Sequence, residues 1–244
     1  MSVYAAVILL SCLSFVTTAA GVLLAIRFRE NKQAIPVGIG FSAGIMLIIS
    51  FAELLPEAAD EAGIYTTLLS AIGSGLLMMV LHLVIPHRHL SQQKEGLGGD
   101  ILRSAYLVVF GLVLHDFPEG FAMANSYIAS PSMGVLVGIA IAIHNLPEEF
   151  AMAVPATLTG SKRFLYGSAI VSALAEPIGA ITGLIFVELM PTLHPLFMAF
   201  AAGAMIFVSL HELLPMAKRF GRLQLFGAGM ILSLIVYLIL SAIV

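Results

Sequence analysis

The stretch Phe41–Pro56, FSAGIMLIISFAELLP, returns without a gap as Phe200–Pro215, FAAGAMIFVSLHELLP. Phe, Ala, Gly, Met, Ser, Glu, Leu, Leu and Pro coincide in one register. Apolar helices resemble one another by composition alone, but agreement in a single register points to one duplicated helix. Both copies are apolar along nearly their whole length. The chain around them is 60% hydrophobic and only 10% charged, with a mean hydropathy of +1.05. These values lie far outside the range of soluble domains and predict a polytopic membrane protein.

Eight apolar stretches each supply the roughly 20 helical residues needed to cross a hydrocarbon core of about 30 Å. They are Val3–Ile26, Pro36–Leu55, Ile64–Ile85, Ser104–Asn125, Pro131–Pro155, Phe164–Met190, Pro195–Met216 and Leu223–Ile243. The expected fold class is an all-α bundle of eight transmembrane helices, a single domain over 1–244, with 86–103 as a cytoplasmic loop. No connection is long enough for a soluble domain, so activity is expected inside the bundle. Met1-Ser2-Val3-Tyr4 lacks the basic start of a cleaved signal, so the first stretch is read as a retained helix. The single cysteine, Cys12, excludes an intrachain disulfide and a thiolate metal cage. The six tyrosines, all near span ends, are expected to be interfacial anchors.

Charge fixes an orientation. All eleven Lys and Arg residues fall between spans 1 and 2 (Arg27, Arg29, Lys32), 3 and 4 (Arg88, Lys94, Arg103), 5 and 6 (Lys162, Arg163) or 7 and 8 (Lys218, Arg219, Arg222). The positive-inside rule makes those loops cytoplasmic and both termini external, which requires an even number of spans. Spans 2 and 7 then cross in opposite directions. A duplicated element in opposite directions implies a pseudo-two-fold axis in the membrane plane, a plan that builds midplane binding sites in transporters.

A second duplication lies in spans 4 and 5: His115-Asp116-Phe117-Pro118-Glu119-Gly120 and His144-Asn145-Leu146-Pro147-Glu148-Glu149. Pairing 2 with 7 and 4 with 5 gives a 3+2+3 inverted-repeat arrangement. Positions i and i+4 share a helix face, so His115 joins Glu119 and His144 joins Glu148. Asp116 and Asn145 lie about 100° round the helix, at i,i+3 from the glutamates, so each glutamate can serve two neighbouring sites. Pro118 and Pro147 free the carbonyls of Leu114 and Ile143 beside that face. An unpaired charge at mid-membrane costs about 2.5–3.5 kcal/mol on insertion scales, and a metal cation offsets that cost. A lone intramembrane histidine is as readily a packing residue; two His-x-x-x-Glu pairs on inverted helices are not. Imidazole with carboxylate and no thiolate suits Zn²⁺, Fe²⁺, Mn²⁺, Co²⁺ or Cd²⁺. Such a site also releases what it binds, as permeation requires.

These motifs, with eight spans, external termini and a 3+2+3 plan, resemble the ZIP (Zrt/Irt-like) family of divalent metal transporters, in its compact prokaryotic GufA and ZupT type. The resemblance covers essentially the whole chain. It implies a transport site, often binuclear, lined by His115, Asp116, Glu119, His144, Asn145 and Glu148. It adds Glu176, from Ala175-Glu176-Pro177, and Met46. Glu176 alone is a mid-span carboxylate before a proline, and Met46 alone is as well explained by packing. It also implies an elevator-like movement of spans 1, 4, 5 and 6 against 2, 3, 7 and 8. Two departures stand out: Glu149 replaces the usual glycine, and Asp116 the frequent asparagine. Glu149 either adds a carboxylate to the site or faces a polar partner.

Outside the centre, Glu53 and Glu57 are read as an entrance, and His211 with Glu212 as an exit. The alternative is carboxylates stabilised at headgroup level. His82, His87 and His89 cluster at the inner end of span 3, either receiving metal or solvated in a loop. His194 is taken as unremarkable, and Gly73-Ser74-Gly75 and Gly179-Ala180 as close helix contacts. The expected function is movement of divalent transition metal, Zn²⁺ foremost, into the cytoplasm as a multi-pass protein of the inner or plasma membrane. The metal is substrate, and no catalytic cofactor is expected. Expected partners are metal ions and the lipid bilayer, with a homodimer as candidate assembly and no nucleic acid. The alternative, an intramembrane metalloenzyme, would need His-Glu-x-x-His, but His211-Glu212 is followed by Pro215 where the second histidine belongs. A metal sensor is disfavoured by the lack of a signalling domain.

Overall fold

The computed structural model describes residues 2–28, 33–84, 116–158, 160–219 and 221–244, which are helical almost throughout, with no strand among them. The helices are α1 (Val3–Ser11), α2 (Leu13–Phe28), α3 (Ala34–Ile48), α4 (Leu55–Ala62), α5 (Ile64–Val84), α6 (116–129), α7 (Pro131–Leu158), α8 (Lys162–Leu189), α9 (His194–Val208), α10 (Leu214–Arg219) and α11 (Leu223–Ile243). Seven stretches among the described residues are long and apolar enough to cross a membrane, matching seven of the eight expected spans. Of the span expected at 104–125, residues 116 onward form α6. The loop 86–103 and His87, His89 and His115 lie outside the described residues.

Two helix breaks differ from expectation. The first span is split at Cys12 into α1 and α2, where the Ser11 hydroxyl donates to the Ile8 carbonyl (3.0 Å) and Ser14 to Ser11 (2.6 Å). Such back-bonding competes with the helical ladder and bends it. The second span does not end at Leu55. It passes through a π-helical turn, Ile49–Leu54, into α4, where Pro56 sits in a first turn that needs no N–H from it. It stops at Gly63, whose φ of 81° suits a residue without Cβ.

The register that sets Phe41 on Phe200 holds in three dimensions well beyond the quoted stretch. Ser2 caps α1 through Ala5 N (3.3 Å) as Ser161 caps α8 through Phe164 N (3.2 Å). Ser50 donates to the Met46 carbonyl (2.8 Å) as Ser209 does to Met205 (2.9 Å). A second π-helical turn, Ser209–Leu213, answers the first, with Leu55 N–H on Ser50 and Leu214 N–H on Ser209. In the same register, both ends of α5 fall on the ends of α11.

Packing follows the same pairing. α3 lies on α11 and α9 on α5, while α2 lies on α7 and α8 against α1 and α2. α3 and α7 are the buried centre; α5 and α11 turn Leu68, Leu69, Ile72, Ile231, Leu234 and Leu238 outward. In lipid, close helix approach needs small residues. A Cβ on Gly203 would fall on the Ala71 carbonyl, and one on Gly44 on the Ser233 side chain. Gly179 is likewise pressed on the Phe117 carbonyl, as expected, whereas Gly73 has open space around it and makes no such contact. Gly203→Val is therefore expected to cost about 1–3 kcal/mol by overpacking, read as a lower thermal midpoint in detergent, while Gly73→Ala is expected to leave the midpoint unchanged or raise it.

Candidate metal centre

The second motif builds its site on α7, which runs unbroken through Pro147. Ser42 of α3 donates to the His144 carbonyl at 2.9 Å, next to the Ile143 carbonyl that the proline deprives of its usual donor. Pro177 of α8 does the same to Ala173, whose carbonyl lies 3.1 Å from the Ser14 hydroxyl. At both prolines a hydroxyl of a neighbouring helix thus lies beside the opened backbone, Ser42 on the carbonyl next to the freed one and Ser14 near the freed Ala173 carbonyl.

His144 is fully buried. Its Nδ1 lies 3.0 Å from the Ala140 carbonyl, which can only accept, so Nδ1 carries a hydrogen. That leaves Nε2 to face Glu119 Oε1 of α6 at 3.1 Å and Glu148 Oε2 at 3.9 Å. An imidazole lone pair against a carboxylate oxygen is repulsive unless a proton or metal ion stands between them. The edges of a tetrahedron with zinc bonds of about 2.1 Å are roughly 3.4 Å, and the two distances bracket that length. Among the described residues, Glu119, His144 and Glu148 are the one set of three such groups with donor atoms within 4.8 Å of one another, all buried.

Helix contacts explain how α6 reaches this point. A Cβ on Gly120 would fall on the Glu176 carbonyl, so the glycine after Glu119 lets α6 cross α8 backbone to backbone. Glu176, 1% exposed, accepts from Asn145 Nδ2 at 2.9 Å through Oε2, while its Oε1 has no hydrogen-bond partner among the described residues. Asp116 Oδ2 accepts from Ser172 at 2.6 Å. Met46 is fully buried one turn along α3 from Ser42, and its Sδ lies 3.6 Å from the Ser209 hydroxyl.

The peripheral candidates divide into two groups. Glu53 accepts from the Tyr237 hydroxyl of α11, and with Glu57, Ser130 and Ser132 it lines a hollow of about 340 Å³. Tyr237, expected as an interfacial anchor, thus also holds Glu53. Glu212, the repeat counterpart of Glu53, lies 3.4 Å from His82 Nδ1 of α5, and His82 meets the His211 ring edge-on at 4.9 Å.

His194 is not unremarkable. It is 7% exposed at the start of α9, donates from Nε2 to the Asn125 carbonyl of α6 at 2.9 Å and sets Nδ1 3.8 Å from Glu61. Sequence reasoning also missed Ser42, Ser172 and Thr18, isolated hydroxyls in apolar helices whose positions carried no pattern.

Comparison with known proteins bears on this arrangement. A family model described as ZIP Zinc transporter matches residues 85–241. The chain is 37% identical over 229 residues to the Zinc transporter ZupT of Corynebacterium aurimucosum, covering 86% of each chain. It is 34% identical over 259 residues to that of Chlorobium limicola, covering 96% of each, and 37% identical over 227 residues to that of Salmonella heidelberg, covering 86% of each.

Removing His144 leaves two buried carboxylates without the imidazole that organises them. His144→Ala is expected to weaken Zn²⁺ binding to the purified protein by about 100-fold or more, measured by titration calorimetry. Ser42→Ala, which touches only the backbone of that residue, is expected to cost less than tenfold.

Proposed function

The chain belongs to the ZIP family of zinc transporters, and from that premise we propose that it carries Zn²⁺, and with it Fe²⁺, Mn²⁺, Co²⁺ or Cd²⁺, into the cytoplasm through the centre at Glu119, His144 and Glu148. The observation that carries the proposal is the convergence of three buried donor groups, Glu119, His144 and Glu148, with His144 Nε2 3.1 Å from Glu119 Oε1. His115, Asp116, Asn145, Glu176 and Met46 complete the ligand set as the family resemblance implies, allowing a binuclear site. Glu53 and Glu57 act as the entrance, and His211 and Glu212 with His82, His87 and His89 as the exit.

The bundle is a 3+2+3 inverted repeat with both termini outside. The caps, π turns and serine bonds matched between the two repeats support the symmetry, and the placement of all eleven basic residues supports the orientation. Transport proceeds by an elevator-like shift of α1, α2, α6, α7 and α8 against α3, α4, α5, α9, α10 and α11. Support comes from the packing of α2 on α7 and of α3 on α11, and from the seam where Gly38 of α3 leaves room only for Pro147 of α7.

Zn²⁺ uptake into proteoliposomes is expected to fall to the protein-free rate in the double variant His144→Ala, Glu148→Ala. Uptake that persists would refute the assignment. Orientation is tested by single cysteines in a Cys12→Ser background: one at position 162 or 218 is expected to react with an impermeant thiol reagent only after the cytoplasmic face is opened, and one at position 2 without opening it.

A further inference from the structure

Two hollows of opposite chemistry meet at the start of α11. One, of about 720 Å³, is a groove whose described lining residues are all apolar except Gln33; Leu24 of α2, Phe41 of α3, Phe150 of α7, and Leu225 and Leu232 of α11 are among them. Its size lies within the roughly 300–1,000 Å³ of small-molecule sites. Its floor is the contact of Gly38 with Pro147, where α3 packs on α7, and α2 and α11 are its walls. The other hollow, of about 610 Å³, is lined by Lys218, Gly221, Arg222 and the first residues of α11, ending with Leu225. Leu225 lines both, so the two hollows adjoin.

The second hollow is cationic. Lys218 and Arg222 are exposed, and neither is ion-paired among the described residues. Arg222 stands at the cap position of α11 but makes no capping hydrogen bond with its side chain. Positions 213–244 contain no Asp or Glu. Arg27 adds a positive charge at the same end of the bundle, i+3 from Leu24 and so on the same face of α2.

The groove, by contrast, opens to the surrounding hydrocarbon, with Leu232 on its rim 46% exposed. Along α3 it extends from Gln33 to Phe41, about 12 Å of helix at roughly 1.5 Å per residue. It therefore runs from the basic end of the bundle toward its middle, as an acyl chain runs from its headgroup.

We propose that the two hollows together bind one anionic phospholipid, with an acyl chain in the groove and the headgroup phosphate on Lys218 and Arg222. In the orientation proposed above this is a lipid of the inner leaflet. A chain in the groove and a chain in the bilayer both have hydrocarbon around them, so the groove gives position and the cations give the preference for an anionic head. A second copy of this chain fits the same face less well. A two-fold axis along the membrane normal that covered the groove would set two cationic ends side by side. The floor at Gly38 and Pro147 is the seam between the two helix sets whose shift is proposed above, so under that reading the bound chain lies where they slide.

The sequence contains no tryptophan, so a single introduced one reports on its own surroundings. Full-length protein with Leu232→Trp, on the groove, or Leu69→Trp, on the outward face of α5, is reconstituted into vesicles of phosphatidylcholine and phosphatidylglycerol, one of them brominated on its chains to quench fluorescence. At position 232, phosphatidylglycerol is expected to be enriched over phosphatidylcholine by about 30-fold, roughly fivefold for each of the two cations. At position 69, quenching is expected to follow the bulk lipid fraction. Lys218→Gln with Arg222→Gln is expected to remove the enrichment at 232 without moving the curve at 69 or the thermal midpoint. Salt at about 1 M, which screens exposed charges, is expected to weaken it without any substitution. Matching curves at the two positions, or an enrichment that survives both the double variant and salt, would overturn the site. Quenching at 69 with none at 232 by either lipid would overturn it in favour of a second copy seated on the groove.

Discussion

Everything at the centre of this protein depends on one ring held from behind. The Ala140 carbonyl takes the Nδ1 hydrogen of His144, and this commits Nε2 to the side where Glu119 and Glu148 converge. In water such an arrangement would be unexceptional, because solvent would screen the carboxylates and hydrate the ring. Buried away from water, an imidazole nitrogen and two carboxylates within a few ångströms of each other are stable only with a proton or a metal ion among them. Three helices then have reasons for their details. α7 is fixed beside its proline by Ser42 on the His144 carbonyl, α6 ends its motif in a glycine so that it can cross α8, and α8 brings Glu176 to Asn145.

A second constraint sets the frame. Corresponding positions of the two repeats carry the same caps, the same serine back-bonds and the same π-helical turns just before a proline. π turns are rare, and they collect at functional places because the extra residue shifts the following side chains. Here each turn carries a glutamate, Glu53 or Glu212, and each glutamate finds a partner on the helix packed beside it: Tyr237 of α11 or His82 of α5. The duplicated architecture is therefore kept while the chemistry at its two ends has diverged, from a phenol at one to imidazole at the other.

Much of this was legible in the sequence because it is carried by period and repetition. Apolar runs reveal spans, and the alignment of Phe41–Pro56 with Phe200–Pro215 already contains the serine and proline that mark the π turns. His144 and Glu148 share a face of α7 as their i,i+4 spacing implied, and Glu119 of α6 meets them there. What escaped was carried by single residues with no pattern. Thr18, Ser42 and Ser172 are ordinary hydroxyls in apolar helices until a neighbouring helix places a carbonyl or carboxylate beside them. His194 was taken as unremarkable, yet the Pro195 that follows belongs in the first turn of a helix, and the histidine is buried at that helix start. The surroundings of Glu149 were equally hidden: Gly21 of α2, remote in the chain, packs against it, and its Oε1 meets Thr18 and Ser172.

The central claim is that the convergence of Glu119, His144 and Glu148 is the seat of a divalent metal ion. It is tested most directly by a crystal structure of the Zn²⁺-loaded protein with anomalous differences collected across the zinc edge. An anomalous peak is expected about 2.0–2.2 Å from His144 Nε2 and from a carboxylate oxygen of Glu119 or Glu148. Saturating Zn²⁺ with no peak at that point, and a hydrogen-bonded His144–Glu119 pair in its place, would contradict it.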